Sequence, residues 1–296
     1  MKLSRHVIAV LQAVFVTVLW ASSWVFIKIG LGANLPALTF AGLRYLLAFL
    51  CLTPFVLLNA NHRAEIQSLA RKDWLNLALL GVVLYTLTQG AQFLSLAYLP
   101  AAMASLLLNL TPIMVGVFGI LFLREYPSSR QWFGITITIA GVLIYFFPLS
   151  IQAIQILGIC IALGGVISNA TSSLLGRRAN RSAVHSPLII TFVSMGIGSV
   201  LLLIIGITFQ GFGELNPQGW LIISWLALIN TAFAFTLWNQ TLRTLSAVES
   251  SIINSLMMPQ IAILAFVFLG ESLQVKEIIG LILVGIGVLV VQMQRR

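Results

Sequence analysis

Apolar runs follow one another along almost the whole chain, broken only by short polar stretches. Ten of them approach the roughly 20 residues that a helix needs to cross a hydrocarbon core. They fall at about 7–29, 36–58, 74–97, 100–123, 131–147, 153–175, 187–209, 219–242, 247–269 and 274–293. Little more than Leu99-Pro100 separates the third from the fourth, which predicts a tight hairpin. Composition agrees: 59% of the 296 residues are hydrophobic and 8% are charged. A soluble chain needs about a quarter of its residues charged to stay solvated, so this one is expected among lipids. Cys51 and Cys160 both sit inside apolar runs, where they build neither a disulfide framework nor a CxxC site. The run after Met1-Lys2-Leu3-Ser4-Arg5 is too long for a signal peptide and lacks a convincing cleavage site.

Charge fixes the expected orientation. With an interior N-terminus, the interior segments hold thirteen basic residues, among them Arg63, Arg71, Lys72, Arg124, Arg130, Arg177, Arg178 and Arg243. The exterior loops hold only Lys276, while Lys28 and Arg44 lie within spans. That asymmetry obeys the positive-inside rule over short loops and places both termini in the cytoplasm. The net charge of +9 therefore faces the cytoplasmic lipid surface, and no nucleic-acid partner is expected.

The stretch from Leu99 to Gly141 is echoed 146 residues later from Leu245 to Gly287. Ser105 and Ser251, Glu125 and Glu271, and Gly134 and Gly280 keep that register, while Pro112 and Pro259 miss it by one residue. The expected fold is thus an all-α polytopic membrane protein of ten transmembrane helices in two five-helix repeats, residues 1–150 and 151–296. Five is odd, so the second repeat enters the membrane inverted. Inverted repeats are characteristic of secondary transporters, in which rocking of the halves exposes a central site to each side in turn.

At this level the chain resembles the drug/metabolite transporter superfamily, in its ten-helix branch of two EamA-type repeats. The likeness rests on Trp20 with Ser22 and Ser23, Lys28, Leu43-Arg44-Tyr45, Leu99-Pro100-Ala101-Ala102, Pro112 and Leu123-Arg124-Glu125. In the second half it rests on Thr231-Ala232, Leu237-Trp238-Asn239, Leu245-Ser246-Ala247, Pro259 and Leu269-Gly270-Glu271. The chain departs from the family pattern at Trp20-Ala21-Ser22-Ser23, where Trp-Gly-Ser is common, and at Gly164-Gly165-Val166, where an aromatic is common. The resemblance implies a carrier of small organic solutes, often amino acids and frequently exported. It also implies a central pocket lined by early spans of each repeat, with the fifth and tenth spans to one side.

Arg44 is the most informative candidate, because it lies roughly 13 Å from the exterior start of its span at the helical rise. A guanidinium at that depth faces the protein interior or a water-filled cavity. It is either a counter-charge for a solute carboxylate or phosphate, or a structural arginine tying down carbonyls of a neighbouring span. Lys28 is nearer the exterior end and either snorkels to the interface or touches solute. Other candidate lining residues are Trp20, Ser23 and Trp24 on the first span, Tyr85, Gln89 and Gln92 on the third, and Asn230, Trp238 and Asn239 on the eighth. Asn109 and Asn254 stand beside the carbonyls that Pro112 and Pro259 free, and the two prolines are expected to kink their helices as hinges. Gly134, Gly141, Gly280 and Gly287 recur every seven residues and read as close helix contact.

All seven carboxylates and all three histidines lie in loops, a terminus or near span ends. A mid-membrane proton relay is therefore not expected, which favours facilitated diffusion or exchange, and Glu125 and Glu271 read as caps of the helix that follows each or as loop stitches rather than gates. The same inventory leaves no catalytic constellation for a membrane enzyme, and no GxxxxGK[ST] run supports an ATP-driven pump. A structural or assembly subunit is the remaining competitor. The expected partners are a small-molecule solute and membrane lipid, with no cofactor and no metal, in a bacterial inner membrane. A monomer is expected, with an oligomer left open. Replacing Pro112 or Pro259 by Ala should reduce transport in proteoliposomes more than folded yield, and unchanged transport would remove the hinge idea.

Overall fold

A computed structural model describes residues 5–118, 128–147, 152–181, 185–241, 244–245, 253–254 and 256–292. All regular structure among them is helical. The expected Glu125, Glu249, Arg124 and Arg243 lie outside the described residues, as do the side chains of Pro112 and Asn239. Five helices are long and apolar enough to cross a membrane. They are α1 (Arg5–Gly32), α2 (Ala37–Leu57), the continuous stretch Arg71–Tyr98, α9 within Ala153–Arg181, and α10 (Pro187–Gln210).

Arg71–Tyr98 is not uniform. It comprises α4 (Arg71–Gly81), a π-helical segment Val82–Gln89, and α5 (Gly90–Tyr98). The same interruption recurs between α11 (Pro217–Ala227) and α12 (Ala234–Thr241), where Leu228–Phe233 is π-helical. Val82 and Leu228 are 146 residues apart, so the sequence echo extends to a backbone irregularity. In the second segment Thr231 Oγ1 donates to the Leu226 carbonyl five residues back, at 2.9 Å. Shorter helices complete the chain: α3 (Ala60–Gln67), α6 (Ala101–Leu108), α7 (Thr111–Phe118), α8 (Ser129–Phe146), α13 (Met257–Leu269) and α14 (Val275–Gln292). The short polar α3, capped by the Asn59 side chain, was not foreseen by apolar periodicity because only Ile66 among its residues is large and apolar.

The prolines do not bend continuous helices. The fourth apolar run breaks outright at Asn109–Leu110, and Pro112 is the second residue of α7, where its missing N–H costs nothing. The freed Leu108 carbonyl accepts instead from the Thr111 hydroxyl at 2.7 Å. Pro259 is likewise third in α13. The breaks themselves keep the register that the prolines miss. Leu110 N–H donates to Leu107 and Leu256 N–H donates to Ile253, each with tight-turn spacing.

Close backbone approach organises the packing. The most extensive pair is α8 with α14, where a Cβ on Gly141 would lie 2.8 Å from the Gly280 carbonyl and one on Gly287 would lie 2.7 Å from that of Gly134. The glycine echo is thus a helix contact, as its spacing indicated. Helix α2 lies against α10 in the same way, with Leu203 backbone over Gly42 and Thr39 backbone over Gly206. Helix α1 packs on α12 and α13, and α9 packs on α5, α6 and α7.

The Leu99–Pro100 hairpin carries two charged caps from distant parts of the chain. Lys28 on α1 donates through Nζ to the carbonyls of Leu96 (2.7 Å) and Leu99 (2.6 Å), at the end of α5. Glu271 accepts from the amides of Ala101 (2.8 Å) and Ala102 (3.3 Å), at the start of α6. Each charge opposes the helix partial charge that it meets. Gly270 ends α13 at φ 66°, and this left-handed turn delivers Glu271 to the hairpin. Replacing Glu271 by Ala should cost about 1 kcal/mol, read as a lower melting temperature of the detergent-purified protein. Gly270→Ala should move stability the same way, through strain at the left-handed position.

Candidate functional site

Arg44 is 3% exposed on α2 and lies under two aromatic faces, with its guanidinium carbon 5.2 Å from the Tyr45 ring centre and 5.8 Å from that of Phe93. Nε donates to Thr231 Oγ1 at 3.0 Å, across 187 residues of sequence. Thr231 is fully buried in the second π-helical segment, and its hydroxyl is consumed by this acceptance and by its own bond to Leu226. That is the only hydrogen bond of the guanidinium among the described residues. Nor does any described carboxylate stand within ion-pair distance of it.

The adjacent Asn230 continues the connection to α1. Its Nδ2 donates to the Leu19 carbonyl and to Ser22 Oγ, the latter at 3.2 Å. Its Oδ1 is buried with no hydrogen-bond partner among the described residues, and so is Trp20 Nε1. Trp20 stands in an aromatic trio, 5.2 Å from Phe235 and 5.1 Å from Trp238 between ring centres. All three rings are partly exposed. An orphaned donor and an orphaned acceptor therefore border one aromatic surface, and buried orphans of this kind call for a partner. Consecutive Asn230 and Thr231 link that surface to Arg44.

The other expected residues divide. Tyr85 is buried edge-on to Tyr45 at 5.5 Å, and Tyr45 donates to Gln89 Oε1 at 2.6 Å, so both belong to the shell behind Arg44. Gln92 is half-buried one turn beyond. Ser23 is buried and donates to the Trp20 carbonyl at 2.6 Å, and Trp24 is core, 4% exposed. Asn109 satisfies itself on the Ser105 carbonyl at 2.8 Å, capping the broken end of α6. Asn254 is exposed, with no described contact to the cluster. Lys28 is occupied at the hairpin.

Sequence reasoning missed Thr231, Phe235, Phe93 and the two π-helical segments as parts of this site. The signal was present in the echo. Tyr85, Gln89 and Gln92 stand 146 residues before Thr231, Phe235 and Trp238, so selecting the first three by register selects the others.

Comparison with known proteins agrees with this architecture. The model of the EamA-like transporter family matches residues 7–147 and again 156–293. An uncharacterized transporter of Bacillus subtilis, YvbV, is 28% identical over 274 residues, covering 91% of this chain and 87% of its own. An uncharacterized transporter of Archaeoglobus fulgidus is 26% identical over 276 residues, covering 91% and 92%. A solved structure described only as the crystal structure of a protein shares the fold, with a TM-score of 0.67 at 17% identity over 96% of both chains. With apolar membrane-length helices and two family matches spanning nearly its whole length, the chain belongs to the EamA-like transporter family.

Proposed function

We propose that this membrane transporter is a secondary carrier of a small organic metabolite bearing a carboxylate, an amino acid or a similarly amphipathic solute. It works by alternating access through the Arg44–Thr231 site. The observation that carries this reading is the buried guanidinium of Arg44, tied by one nitrogen to the other half of the chain and otherwise unneutralised among the described residues. An unpaired charge in such surroundings is costly, and a planar acid group matches the guanidinium fork. Trp20 Nε1 and Asn230 Oδ1 supply one further donor and one acceptor, and the Trp20–Phe235–Trp238 surface accommodates an apolar portion.

Ten spans in two inverted repeats belong to the same proposal. Its support is the shared 146-residue register of the π-helical segments and of the breaks at Leu110 and Leu256. Numbering the ten apolar segments in order, the second packs on the seventh and the fifth on the tenth, while the first–ninth contact is mirrored by the sixth–fourth. The basic residues support cytoplasmic termini in a bacterial inner membrane. Exchange or facilitated diffusion is the driving mode proposed, because no carboxylate or histidine lies mid-span, and export is the direction that the family resemblance implies. Uptake into proteoliposomes that follows a pH gradient steeply and is lost on mutating Glu125 or Glu249 would overturn that part.

A thermal-stabilisation screen of the purified protein across amino acids, sugars and nucleosides tests the rest. Carboxylate-bearing solutes should stabilise, and Arg44→Ala should weaken their apparent affinity by about 10- to 100-fold, as expected for a charge-assisted pair. Thr231→Val, which frees the guanidinium from its anchor, should weaken it less, and Thr231→Ser should restore it. Hits confined to solutes without an acid group, or unchanged in Arg44→Ala, would overturn the assignment.

A further inference from the structure

Away from the central site, an apolar groove of ≈ 530 Å³ runs along one face of α10. Val193, Gly196, Val200 and Ile204 form its floor at helical spacing, over about 16 Å of helix rise. Val200 and Ile204 are 44% and 56% exposed, so the groove opens outward rather than into the core. Gly196 keeps the floor low, since a Cβ there would meet the Phe49 ring, which stacks on Phe192 at 4.7 Å. Ile66 of α3 and Trp74 of α4 close one end.

Two arginines stand one turn from that end. Arg63 precedes Ile66 by three residues on α3, and Arg71 precedes Trp74 by three on α4, so each arginine shares the face of a groove-lining residue. Both are exposed, and neither has an ion-pair partner among the described residues. The neighbouring carboxylates are already engaged. Glu65 accepts from the Ser186 amide and, at 2.9 Å, from its hydroxyl, and it stands 3.9 and 4.0 Å from His62 and His185. Asp73 accepts from the Ala70 amide at 3.1 Å and lies 3.5 Å from His185. Trp74, 41% exposed at the junction, has the character of an interfacial indole.

We infer that this groove is a binding site for an anionic phospholipid, with one acyl chain along α10 and the phosphate between Arg63 and Arg71. An apolar channel of this length, with two guanidinium groups at one end that have no ion-pair partner among the described residues and none along its walls, matches that amphiphile. The site stands apart from Arg44, so its test is independent of the transport reading.

The test is native mass spectrometry of the full-length protein released from detergent, with phosphatidylglycerol, phosphatidylcholine or glycerol 3-phosphate at equal concentration. Phosphatidylglycerol adducts should outlast phosphatidylcholine adducts, and each arginine removed in Arg63→Ala and Arg71→Ala should weaken them about fivefold. Arg63→Lys with Arg71→Lys should retain most of the preference. Val200→Trp, which fills the groove at an exposed position, should reduce retention of both lipids. Equal retention of the two lipids, or phosphatidylglycerol binding unchanged in the double alanine variant or in Val200→Trp, would overturn the site. Binding of glycerol 3-phosphate as tight as that of phosphatidylglycerol would overturn the lipid as its occupant.

Discussion

Apolar side chains gain little by leaving lipid for protein, so burial of hydrophobic surface does not hold these helices together as it does in water. Cohesion comes from close packing and from polar groups that find partners inside the chain. The structure follows that constraint at its two most extensive helix pairs. Where α8 meets α14 and α2 meets α10, glycines bring backbone to backbone. Where polar groups are unavoidable, at helix ends and at Arg44, they are met by side chains from far along the sequence.

The same constraint separates scaffold from site. Lys28, Glu271 and Asn109 have their capacity spent on helix ends, and Tyr45 and Gln89 spend theirs on each other. Arg44, Asn230 and Trp20 do not, and they stand where the two π-helical segments loosen the regular ladder. Irregular backbone at membrane depth is tolerated where it lines a cavity or is buried in protein, and π-bulges concentrate at functional sites. These residues, incompletely satisfied among those described, are the ones on which the proposed solute site rests.

Much of this was legible in the sequence. Helix class, the glycine contact of the fifth and tenth segments, the tight Leu99–Pro100 hairpin and the burial of Arg44 all followed from spacing. Glu271 was expected to cap the helix that follows it and instead caps α6, a partner no periodicity could reveal because Ala101 is 170 residues away. The prolines misled for a related reason. A proline inside an apolar run reads as a kink, yet whether the helix bends or restarts depends on whether a neighbour such as Thr111 can take the freed carbonyl. The π-helical segments left no local signal, since their φ and ψ differ little from those of an α-helix and only the hydrogen-bond spacing changes. Thr231 was passed over because an isolated threonine in an apolar run ordinarily bonds its own helix, which it also does here.

The hairpin caps bear on how the protein is made. Ribosomes deliver the chain from its N-terminus, so Lys28 and the Leu99–Pro100 turn enter the bilayer long before Glu271 exists. Arg44 waits still longer in residues for its partner, since Thr231 follows it by 187. Through most of synthesis the first half therefore holds a guanidinium and two helix-end amides whose partners have not yet been translated. Its final arrangement is completed by the second half, and a chain truncated after residue 150 would be a client for membrane chaperones and proteases rather than a half-sized carrier.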